Sequence, residues 1–114
     1  MFWSKKKKRI EKIELIENGF QLNYDGEITQ IQWSEIQNLT GFKVDRFTVD
    51  DICLKIEFNN LTAFVTEEFE GWRNFIEKML IEFPQIDKNW EGIIAKPAFE
   101  RNETELYNRE KNVG

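Results

Sequence analysis

The stretch EFEGWRNFIEKMLIEF (68–83) decides the architecture. Within it Phe69, Trp72, Phe75, Ile76, Met79, Leu80 and Phe83 recur at spacings of three and four, and Arg73, Asn74, Glu77, Lys78 and Glu82 fall between them. That rhythm gives an α-helix one apolar side and one charged side. Aromatic rings on one stripe are stable only against another apolar surface, so the spacing predicts a helix that covers something. Thr66 is placed to cap this helix and Pro84 to stop it. Most of what precedes it reads as short β-strands, which need such a cover.

Working outward, residues 10–16 and 20–24 flank Glu17-Asn18-Gly19, and Asn-Gly supplies the positive φ angles of a tight hairpin. Phe20, Leu22 and Tyr24 alternate with Gln21 and Asn23, the period of a half-buried strand. Ile10, Ile13 and Ile16 also fit a helix, but the turn signal favours a strand. Asp25-Gly26 makes a second turn before residues 28–33, where Thr29, Ile31 and Trp33 share a face. SEIQNL (34–39) reads as a short helical turn capped by Ser34, with Ile36 and Leu39 inward. A strand over 41–46 places Phe42 and Val44 inward. In 52–58, Ile52, Leu54, Ile56 and Phe58 line one face and Cys53, Lys55 and Glu57 the other. Asn59-Asn60 then turns the chain into a strand over 61–65.

Beyond Pro84, Asp87 is placed to cap a short helix in which Trp90, Ile93 and Ile94 share a face. Phe99, Leu106 and Tyr107 imply that the following segment packs back on the domain, its secondary structure left open. The expected fold is α+β: a bent antiparallel sheet or barrel of six or seven strands, capped by one amphipathic helix, with a partly helical C-terminal extension. The chain divides into a basic tail (1–9), the domain (10–86), the extension packing on it (87–109) and a free tail (110–114).

A chain of 114 residues, 40% hydrophobic, forms one domain with a core of its own. The lone Cys53 leaves no internal disulfide and points away from an oxidising compartment. No apolar run reaches the ~18 residues of a membrane span, and no apolar segment follows the basic N-terminus as in a signal peptide. A cytoplasmic location is expected. Lys5, Lys6, Lys7, Lys8 and Arg9 are basic, whereas residues 10–114 hold 11 Lys/Arg against 21 Asp/Glu, a net of −10. Such an acidic body disfavours nucleic acid as a partner.

The chain has no histidine, which removes the usual general base near neutral pH and every Ser–His or Cys–His triad. One cysteine excludes a Cys-rich zinc site, and no glycine-rich phosphate loop occurs. Asp45, Asp50 and Asp51, with Asp25 or Glu27, lack the glycine and glutamate spacing of a calcium loop and read as solvated hairpin tips. No catalytic residue, metal or cofactor is therefore expected.

Several strings resemble a family of small, mostly uncharacterised bacterial proteins with a pleckstrin-homology-like (PH-like) fold. They are Ile31-x-Trp33-Ser34-Glu35-Ile36, the run Lys43 to Leu54, Glu67-Glu68 with Gly71-Trp72, and Phe83-Pro84. The tail Pro97-Ala98-Phe99-Glu100 with Asn102, Thr104, Leu106, Tyr107 and Arg109 is similar to that family's C-terminal signature. The resemblance covers about residues 20–109 and implies the fold, with no catalytic role to carry over.

Two binding functions are expected. The first is a protein-interaction module, since PH-like folds offer a sheet edge and a groove where an extended peptide adds a strand. Lys43, Asp45, Arg46, Asp50 and Asp51, exposed by alternation or turn position, would form its surface, with Phe47 either an aromatic anchor or core. An immunity protein that neutralises a basic toxin falls within this class. The alternative is weak contact with an anionic membrane surface through Phe2, Trp3, Lys5, Lys6, Lys7, Lys8 and Arg9. Inositol-lipid recognition fits poorly, because only Lys12 flanks the first hairpin turn.

Overall fold

A computed structural model describes residues 9–46, 49–96 and 102–111 of the chain. The elements are β1 (Glu11–Ile16), β2 (Gly19–Tyr24), β3 (Glu27–Gln32), β4 (Ile36–Arg46), β5 (Val49–Phe58), β6 (Leu61–Thr66), α1 (Trp72–Glu82), α2 (Trp90–Ile94) and β7 (Asn102–Asn108). The class is α+β, with two antiparallel sheets: β1-β2-β3, and β6-β5-β4-β7. In the β1–β2 hairpin only Asn18, at φ 61°, is left-handed, because Gly19 already belongs to β2 instead of sharing the turn, whereas Asn59 and Asn60 supply both positive φ angles of the β5–β6 hairpin.

The core lies between the sheets and α1. Phe20 meets Trp33 at 4.9 Å and Phe75 at 4.7 Å between ring centroids, and Trp33 stacks on Phe75. Burying each such side chain stabilises the fold by roughly 1.5–3 kcal/mol. Ile76 and Met79 complete the inner side of α1, as the spacing predicts.

Several boundaries differ from the sequence pattern, β5 among them, which begins at Val49 and not at 52. The expected helical turn over 34–39 shrinks to a 3-10 turn at Trp33–Glu35, and β4 starts at Ile36 rather than 41. Its register shifts between Ile36 and Asn38, so Ile36 and Leu39 both point inward from a strand. A bulge thus produces a spacing of three that resembles a helix.

The main helix starts at Trp72, with Gly71 at its N-cap, and Thr66 caps the preceding turn instead by accepting from the Glu68 N–H. The backbone of Glu70 is engaged by β1: Ile13 N–H donates to its carbonyl at 2.8 Å, and its own N–H donates to Glu11 at 3.0 Å. Gly71 then takes φ +90°, and a Cβ there would lie 2.1 Å from the Ile13 carbonyl oxygen. The helix cannot extend back through a segment committed to β1.

Along β4 the faces are the reverse of the expected ones. Gly41 is opposite Leu54 and Lys43 opposite Ile52, so these face the core, while Phe42, opposite Cys53, faces outward. The reason is α2, which packs so closely on Gly41 that a Cβ would lie 2.6 Å from Ile94 Cδ1 and 2.7 Å from the Trp90 ring. Residues 97–101 of the C-terminal extension lie outside the described ones. Its distal part is β7, which pairs with β4 from Lys43↔Asn102 to Asn38↔Asn108.

Candidate functional site

The edges of the two sheets are unequally protected. Exposed edge strands commonly carry charges, prolines or bulges that block pairing with other chains. Among the described edges, β1 carries Glu11, Lys12 and Glu14, β3 carries Glu27, and β7 carries Glu103 and Glu105. The sequence of β6 is Leu-Thr-Ala-Phe-Val-Thr, with no charge, proline or glycine.

Hairpin geometry sets which groups β6 presents. The two-residue loop makes Phe58↔Leu61 the closing hydrogen-bonded pair, so Leu61, Ala63 and Val65 bond to β5. The N–H and C=O groups of Thr62, Phe64 and Thr66 therefore point away from β5. Two of these carbonyls already accept within the fold: Tyr24 Oη donates to Phe64, and Phe69 N–H donates to Thr66 at 3.0 Å. Thr62 and the Phe64 N–H face the gap between the sheets.

That gap is a groove of about 570 Å³. Leu22, Tyr24, Phe58, Leu61, Ala63 and Phe69 supply its apolar lining, and Glu11, Thr29, Thr62 and Thr66 its polar groups. Leu61 and Phe64 are 59% and 52% exposed. The Tyr24 ring stands edge-on to Phe69 at 5.3 Å. Burial, reinforced by the Glu11 carboxylate, raises the Tyr24 pKa, so its hydroxyl stays protonated and able to donate. Glu11 also lines a second hollow of about 540 Å³ with Arg9, Ile10, Lys12, Glu68 and Glu70.

The binding residues expected from sequence lie elsewhere. Lys43 and Asp51, expected on the surface, are only 2% and 5% exposed. Lys43 is on the core face, where its ammonium donates to the Ala95 carbonyl at 3.2 Å. Asp51 shares the outer face with Cys53, and that face is covered there, Cys53 being 3% exposed. Asp45 and Asp50 pair at the far end of the β4–β5 ladder, and Arg46 pairs with Val49. The side chains of Asp45, Arg46 and Asp50, and the whole of Phe47, lie outside the described residues. So do Phe2, Trp3, Lys5, Lys6, Lys7 and Lys8; Arg9 is exposed at the second hollow.

Sequence reasoning missed Tyr24, Leu61, Thr62 and Phe64 as site residues. The available signal was a strand free of charge in a chain that is 32% charged. Its meaning depends on β6 being an edge, which is a matter of topology. No described helix is long and apolar enough to cross a membrane. No family model, curated protein or solved structure matches this chain. What the fold and groove define is an α+β protein with two antiparallel sheets, one main helix and an edge strand that carries no charge.

Proposed function

We propose that this chain is a non-catalytic protein-interaction module of PH-like type, which binds by adding an extended segment of its partner to β6. Two successive antiparallel meanders followed by α1 support the PH-like reading. The absence of histidine from the sequence supports a binding role over catalysis. The observation that carries the proposal is the uncharged β6 edge, whose outward backbone groups border an apolar groove. Main-chain bonds along an edge provide affinity and adjoining pockets provide selectivity.

Thr62→Pro is the discriminating change. It removes an outward N–H that β5 does not use, and proline is tolerated at such edge positions. A photo-crosslinking amino acid replacing Phe64 should give one dominant protein adduct in the native host, lost on Thr62→Pro. The same group replacing Gln30, exposed on β3, serves as the control. Adducts that persist with Thr62→Pro, or that match the Gln30 control, would overturn the proposal.

A further inference from the structure

We infer that the segment received by β6 runs antiparallel to it, is uncharged where it lies in the groove, and is basic on its N-terminal side. This inference rests on the strand-addition reading and goes further by specifying the partner's chemistry.

Direction follows from the ladder. β4, β5 and β6 are already antiparallel neighbours, and an antiparallel addition continues that pattern with the slightly more stable pairing. The added segment then enters beside Thr66 and leaves beside Leu61. Shape favours a single segment over a second folded copy. The groove is bounded on one side by β6 and on the other by Leu22, Tyr24 and Thr29 of the three-stranded sheet. A second copy presenting its own β6 would have to bring the equivalent wall into that space.

Composition follows from the lining. Beside Thr62 and the outward Phe64 N–H stand apolar side chains, where a charged residue away from Glu11 would lose water without gaining a counter-ion. At the Thr66 end, Glu11 belongs to both hollows, so the path of an entering segment continues past Glu68 and Glu70. Glu70 is paired with Lys12 at 3.5 Å, and Lys12 also meets Glu14 at 3.8 Å. Glu11 and Glu68 have no ion-pair partner among the described residues. Arg9 is the other cation lining this hollow besides Lys12, and the chain as a whole carries a net charge of −5. Lysines or arginines preceding the strand would meet these carboxylates, gaining attraction and faster encounter.

The test uses the full chain and three fluorescein-labelled decapeptides in polarization titrations. One has three lysines followed by alternating valine and threonine; the second has three glutamates in place of the lysines. The third is the lysine peptide with alternate backbone amides methylated. The lysine peptide should bind at least tenfold more tightly than the glutamate peptide. Glu11→Gln with Glu68→Gln should remove most of that difference, as should 0.5 M salt. Backbone methylation and Thr62→Pro should each abolish binding, with native circular dichroism retained.

Equal binding of lysine and glutamate peptides, lost with Thr62→Pro, would overturn the basic-partner inference and leave strand addition standing. Binding indifferent to methylation and to Thr62→Pro would overturn both. No binding of the lysine peptide at millimolar concentration would overturn the inference. So would a peptide-free dimer in sedimentation that Thr62→Pro converts to monomer, since the occupant would then be a second copy.

Discussion

Replacing Gly71 by alanine tests how the two sheets are joined, because Gly71 leads from the β1 contact into α1. The new Cβ would lie 2.1 Å from the Ile13 carbonyl oxygen, where ordinary contact begins at 3.4 Å. Relief requires the 70–71 backbone to withdraw by more than ~1 Å, which lengthens the 2.8 Å and 3.0 Å hydrogen bonds linking Glu70 to β1 beyond bonding range. Losing two such bonds costs about 2 kcal/mol, and holding alanine at positive φ about 1 kcal/mol more. The expected total is about 3 kcal/mol, or a fall of roughly 12 °C in Tm for a chain of this size. Gly26→Ala is the internal control: its φ is +96° and nothing lies within 4 Å of the added Cβ, so only the conformational cost applies. It should lower stability by about 1 kcal/mol. Urea denaturation followed by tryptophan fluorescence measures both, with unchanged m-values confirming comparable unfolding. Equal losses for the two variants would refute the reasoning, because the close approach to Ile13 would then cost nothing.

Two further outcomes are expected. Glu91 accepts from both Arg73 guanidinium nitrogens, at 2.9 and 3.0 Å, and from the Trp72 indole at 3.1 Å, tying α2 to α1. Glu91→Ala should cost about 1–2 kcal/mol in urea denaturation by leaving the buried indole unpartnered, and Arg73→Ala under about 1 kcal/mol because that side chain is exposed. A larger loss for Arg73→Ala would show that the ion pair dominates. In acid, Glu35 is held below the ordinary value by the Gln32 N–H and then by Asn59, and Glu105 by Asn38, then Lys111 and Asn108. Their stabilisation is full above the unfolded value of 4.5 and is lost as the pH falls through the lower folded values. Glu35→Gln with Glu105→Gln should therefore flatten the decline of Tm as the pH falls below 4.5, and an unchanged slope would refute the assignment.

The strands β1, β2, β3 and β5 were legible because alternation and Asn or Gly turns act over neighbouring residues. The apolar side of α1 was legible for the same reason, through its three-and-four spacing. The start of α1 was not, because Glu70 is claimed by β1, far away in sequence. Nor were the faces of β4: Phe42 and Val44 are apolar enough to suggest an inward face, and only α2 packing on Gly41 reverses the choice. That reversal also buries Lys43, one of the residues expected to bind. For β7, the sequence showed a segment that packs back without showing how, since NETELYN lacks a strong alternating pattern and its place depends on the free edge of β4.

By itself the sequence determined the α+β class, the acidic body, the lack of histidine chemistry and the hairpin order. These depend on composition and on neighbours a few residues apart. Only the tertiary structure decided that β6 is an edge, that its neutral residues border a groove, and that Lys43 and Asp51 are buried. Edge position and burial are set by which distant segments pair and cover one another, and local periodicity carries no record of that.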